Sequence, residues 1–157
     1  MPWTDEIPGL GFTDGEPWEE PQPGFTTANV AAQTGDPDSL LSLYRDLICV
    51  RSEHPALRYG ETITLETGSR SVLAYLRTIG EDHILVVANL GRIDNEDYEL
   101  SLAASPLAGP LDAEMLIGDG NVELPVVDKA GGIVGYRPFP TLPGRTAVVI
   151  SLTEIGD

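Results

Sequence analysis

From Gly60 onward, apolar and polar positions along the chain alternate with the two-residue period of a strand. ETITLET sets Ile63 and Leu65 against Thr62, Thr64 and Glu66. SVLAYLRTI and HILVVANL are more continuously apolar, the pattern of strands buried on both faces. DYELSL puts Tyr98, Leu100 and Leu102 on one face, and AEMLIG, IVGYRPF and RTAVVISL continue the series. Turn signals separate these runs: TGSR, IGED, LGRIDNED, GDGN, DKAGG and LPGR. The pattern predicts a mainly β fold, an antiparallel Greek-key-type β-sandwich of about seven to eight strands. No helical pattern interrupts the strands, which excludes an alternating βαβ fold.

Ahead of the strands the period changes to that of a helix, predicted over residues 36–54. GDPDSLLSLYRDLICVRSEHP offers Asp36 as N-cap, Pro37 at the first helical position and Asp38 in the first turn. Arg51 and His54 lie near the C-terminal end, with Pro55 as the stop. Its apolar residues, Leu40, Leu41, Leu43, Tyr44, Leu47, Ile48 and Val50, span a wider arc than one sheet needs. Two packing partners are expected. Residues 1–35 show neither period and are rich in Pro and Gly, an irregular acidic arm. The expected organisation is arm 1–35, helix 36–54 and sandwich 55–157.

Charge narrows the function. The 157 residues carry a formal net charge of −16, with a single lysine, Lys129. Such a surface repels phosphates, so neither nucleic acid nor an anionic membrane is an expected partner. No signal peptide opens the chain, and the expected location is cytoplasmic. Cys49 is the sole cysteine; its setting in an apolar helix predicts a small buried side chain. His54 and His83 lack zinc-ligand or nucleophile spacing and read as surface or cap residues. Glu19/Glu20 and Asp94/Glu96/Asp97 are the densest carboxylates, in polar loops that favour solvated charge over paired catalytic acids. No metal site and no cofactor motif is found. The arm aromatics Trp3, Phe12, Trp18 and Phe25 remain; they either stack on sugar rings or anchor the arm to a neighbouring surface.

Together these stretches resemble the C-terminal end of glycoside hydrolase family 13, in its α-glucosidase, oligo-1,6-glucosidase and α-amylase-like members. The residues that carry the likeness are a Met-x-Trp segment at Met1–Trp3 and a Gly-Phe-Thr-x-Gly-x-Pro-Trp segment at Gly11–Trp18. Asn29, Val30, Gln33, Asp36, Ser39, Leu40, Leu41, Tyr44, Arg45, Leu47, Ile48 and Arg51 are similar to the family's last barrel helix. HPAL and Gly60 look like the hinge into its β-sandwich C domain. The likeness is specific over residues 1–60 and rests on strand order alone between about 103 and 144. None of the family's three catalytic carboxylates maps onto a position here. The resemblance therefore implies a non-catalytic C-terminal portion that supports a barrel, with Trp3, Phe12 and Trp18 near sugar only when joined to it. The alternatives are an autonomous carbohydrate-binding module or the small subunit of a split glycosidase. The expected partners are a missing or separate (β/α)8 barrel, a second copy meeting the helix Leu40–Val50, or an α-glucan.

Overall fold

A computed structural model describes residues 2–155, in two compact units, Met1–Cys49 and Val50–Asp157. The Met1 end of the Met-x-Trp segment lies outside the described residues.

The second unit holds the strands. Seven run in the order β1 (Glu61–Thr64), β2 (Val72–Ile79), β3 (Asp82–Asn89), β4 (Leu100–Leu102), β5 (Leu111–Ile117), β6 (Ile133–Tyr136) and β7 (Thr146–Glu154). One sheet has the order β1-β2-β3-β7-β5 and a smaller one pairs β4 with β6. Every pairing is antiparallel. After β3 the chain crosses to the small sheet, returns for β5, crosses again for β6, and inserts β7 between β3 and β5. This is the sandwich the period-two pattern predicts, and each of the seven runs contains a strand.

Side chains that alternate inward fill the core: Ala74 and Leu76 from β2, Leu85 and Val87 from β3, Val148, Ile150 and Leu152 from β7. Tyr98, Leu100 and Tyr136 close it from the small-sheet side. The two tyrosines carry their hydroxyls into that apolar space and satisfy them on backbone. Tyr98 Oη donates to the Phe139 carbonyl at 2.8 Å and accepts from the Phe139 N–H at 3.2 Å. Tyr136 Oη donates to the Glu123 carbonyl at 2.6 Å. Burial pushes both phenols above their ordinary pKa, because the charged form would lose its water.

His83 is buried, not at the surface. As the second residue of β3 it lies in register with Thr78 of β2, and its Nδ1 meets the Thr78 hydroxyl at 2.6 Å. A hydrogen-bonding neighbour makes an imidazole tolerable at a core position. The helix boundaries also shift. Pro55 serves two helices: α2 (Leu40–Glu53) ends at Glu53, as expected ahead of a proline, and Pro55 also opens a further helix, α3 (Pro55–Tyr59), as its first residue. The α3 backbone is tied to the β2–β3 hairpin. Asp82 Oδ2 accepts from Ala56 N at 2.7 Å, Asp82 Oδ1 meets His54 Nδ1 at 3.0 Å, and Arg77 Nε donates to Ala56 O at 3.0 Å.

The first unit contains α1 (Val30–Gln33), within the arm that was expected to be irregular, and most of α2 (Leu40–Glu53). Asp36 does not cap α2. Its carboxylate accepts from Asp38 N at 3.0 Å, closing a turn ahead of the helix. The cap is Ser39, whose Oγ accepts from Ser42 N at 3.2 Å, while Gln33 Oε1 takes Leu41 N at 3.0 Å. No residue of α2 is buried. Cys49 is exposed, contrary to the expectation of a buried thiol.

Candidate functional site

A close-packed glycine and a web of backbone bonds shape the arm. Trp3 N and Thr4 N both donate to Leu10 O, at 3.0 and 3.2 Å, folding residues 3–10 into a closed loop. Gly9 is obligatory there, since a Cβ would lie 1.6 Å from Thr13 O. The strap then meets the start of α1: Pro2 O accepts from Val30 N and Trp3 O from Ala31 N, at 3.1 and 2.9 Å. These are first-turn amides that a helix cannot satisfy by itself. Asn29 completes the junction. Its Oδ1 caps Ala32 N at 2.8 Å, and its Nδ2 donates to Phe25 O and Thr26 O.

The arm encloses an apolar cleft of about 330 Å³, lined by Pro2, Pro8, Leu10, Phe12, Pro17 and Pro21 among others. Of the three aromatic residues predicted to lie near sugar, Phe12 lines this cleft, while Trp3 and Trp18 do not. All three side chains are exposed, Trp18 at 93%. The carboxylates Glu19, Glu20, Asp94, Glu96 and Asp97 are exposed as well. Among the described residues no group of His, Cys, Asp and Glu could hold a metal ion, and no helix is long and apolar enough to cross a membrane.

A second feature was not singled out from the sequence. The outer face of the five-stranded sheet, turned away from the core, carries an apolar row. Tyr75 pairs with Val86, Val86 with Val149 and Val149 with Ile117, across β2, β3, β7 and β5. Alongside it run Leu73, Ala88 and Ala147. α3 and Val50 shelter the Ile84 and Val149 end of this face. Leu73 stays 42% exposed at the other end. The unbroken apolar runs of β2 and β3 signal its first two strands, and not the pairing through β7.

The described residues thus form an antiparallel sandwich that follows an arm and a helix on which Leu40, Leu43 and Leu47 are exposed. Residues 1–60 match the family model described as the alpha amylase catalytic domain, and residues 63–124 that of the maltogenic amylase C-terminal domain. The chain belongs to glycoside hydrolase family 13, in the C-terminal region of that family.

Among particular relatives, it is 39% identical over 100 residues to an oligo-1,6-glucosidase of Halalkalibacterium halodurans, covering 63% of this chain and 17% of that protein. It is 32% identical to a trehalose synthase/amylase of Mycobacterium tuberculosis, covering 99% of this chain and 26% of the other. The solved trehalulose synthase of Pseudomonas mesoacidophila superimposes with a TM-score of 0.67 at 29% identity, over 96% of this chain and 24% of that one. The chain thus spans about a quarter or less of these relatives. The parent family is one of glycoside hydrolases.

Proposed function

We propose that this chain is the non-catalytic C-terminal portion of an α-glucoside-acting family 13 enzyme, and that it supports a (β/α)8 barrel. The observation that carries this reading is α2: Leu40, Leu43, Tyr44, Leu47 and Ile48 are all exposed on it. Burying each such side chain is worth roughly 1.5–3 kcal/mol, so a helix of this composition is stable when a partner covers it. On the outer sheet face the open end at Leu73 is exposed as well, while Val86, Val149 and Ile117 pack with Val50 and α3.

Turnover tests the first half of the proposal. The purified chain is expected to release no product from a chromogenic α-glucoside, and robust hydrolysis would overturn it. Binding tests the second half. A separately produced family 13 barrel is expected to bind the chain, and to lose that binding when Leu43 and Leu47 are replaced by Asp.

The exposure of Trp3, Phe12 and Trp18 favours a second reading, a carbohydrate-binding module. It requires tryptophan fluorescence to change on titration with malto-oligosaccharides and the change to vanish in Trp18→Ala. The supporting role expects no change.

A further inference from the structure

We propose that the Trp18 segment of one copy docks on an arginine-bearing, apolar-lined patch at one end of the five-stranded sheet of a second copy. The association goes beyond the supporting role and does not rest on it.

Nine basic residues serve the whole chain. Four of them are engaged: Arg51 donates to Leu57 O, Arg58 lies over the Tyr59 ring, Arg77 binds Ala56 O and Thr62, and Arg137 pairs with Glu99. Of the remainder, Arg70, Arg92 and Arg145 are brought to one place by the ladder. The Ser71 carbonyl, next to Arg70, accepts from Leu90 N at 2.8 Å, and the Gly91 carbonyl, next to Arg92, accepts from Arg145 N at 2.8 Å. Their guanidinium groups make no hydrogen bond or ion pair among the described residues.

Leu90 and Ile93 stand exposed between them, at 71% and 81%. A hollow of about 260 Å³ opens beside Leu90 and Arg145. Asp94, Glu96 and Asp97 follow Ile93 on the same exposed loop, and one Asp94 oxygen accepts from Gly144 N, so the patch is defined by its three arginines rather than by an excess of positive charge.

The complement lies in the arm. The first 44 residues contain no Lys or Arg, and GEPWEE sets Trp18 among Glu16, Glu19 and Glu20. All four side chains are exposed and none has a partner among the described residues. An indole flanked by carboxylates matches guanidinium groups flanked by Leu and Ile. Arg meets the aromatic face and the carboxylates, while the aliphatic side chains take the ring edge. The contact joins different surfaces on the two copies, so it is head-to-tail and can extend beyond a pair. A barrel that covers the arm competes with it.

Sedimentation of the full chain tests this. At about 150 mM NaCl, repulsion between two copies of net charge −16 is screened beyond roughly 8 Å, and the mean mass is expected to rise with concentration. The dissociation constant is expected to rise several-fold by about 1 M. Replacing Arg70, Arg92 and Arg145 by Glu abolishes self-association, as does replacing Glu16, Glu19 and Glu20 by Lys. Mixing these two variants restores it, because each then offers a complementary segment and patch. In Trp3→Phe, Trp18 emission shifts to the blue as concentration rises.

Three results overturn the proposal. One is a monomer at every concentration up to about 1 mM, which lies beyond the weak end of ordinary affinities. Another is salt-insensitive association that survives the Arg→Glu changes, which assigns the contact to the α2 leucines. The third is a Trp18 shift independent of concentration, which places the segment on its own copy.

Discussion

Two tyrosines show how single residues set the character of the core. Tyr98 and Tyr136 have pKa values raised mainly by burial. A raised pKa means the folded state holds its phenolic proton more tightly than the unfolded state. That contribution is fully present below the unfolded value near 10 and is lost as pH climbs above it. Denaturant midpoints are therefore expected to fall between about pH 9 and 11.5 in the native chain, and more shallowly in Tyr98→Phe and Tyr136→Phe. At neutral pH, Tyr98→Phe leaves both the N–H and the carbonyl of Phe139 short of a partner and is expected to cost about 1–3 kcal/mol. Capping offers a second measurement at this scale. Ser39→Ala is expected to lower stability by about 1 kcal/mol and to fray the start of α2, read by amide exchange, whereas Asp36→Ala disturbs only the preceding turn. The stretch DPDS holds three side chains able to cap, and the sequence does not choose among them. The choice falls to Ser39 because Asp36 is already spent on Asp38 N.

Among the elements, strands were the most legible. Inward positions such as Leu76, Leu85 and Ile150 must be apolar, so the period shows in the sequence itself. The helical region was less legible. Pro55 is legible as the end of α2 and equally able to begin a helix, and the tie from Asp82 to Ala56 N that holds α3 has no local signal. α1 escaped notice because four residues carry no detectable period. Gly60 joins α3 to β1 in a space without room for a methyl group. A Cβ there would lie 2.5 Å from Ala56 O and 2.8 Å from Thr78 O. Gly60→Ala is thus expected to cost about 1–3 kcal/mol by forcing α3 off the hairpin, seen as a lower thermal midpoint with the strand content unchanged.

At the scale of the whole molecule, the candidate surfaces were visible only in part. The excess of leucine on α2, and with it the expectation of a second packing partner, is legible in the sequence alone. The row Tyr75–Val86–Val149–Ile117 does not, because it depends on β7 lying between β3 and β5, a long-range pairing that no local pattern encodes. Tyr75→Asp is expected to leave the sandwich folded, since the side chain faces away from the core, and to weaken barrel binding measured by calorimetry at least about tenfold, the equivalent of ~1.4 kcal/mol.

The place of β7 has a consequence for synthesis. A ribosome delivers the strands in order, yet the one that joins β3 to β5 comes seventh of seven. Until Thr146–Glu154 emerges, β5 has no neighbour and the hydrogen-bonding edge of β3 stands open. The β1–β2–β3 meander can pair as it is made, but β5 cannot join it before β7 arrives. A nascent chain stalled between Ile117 and Thr146 presents the bare edges of β3 and β5 to its surroundings, and a stretch of nine residues closes both.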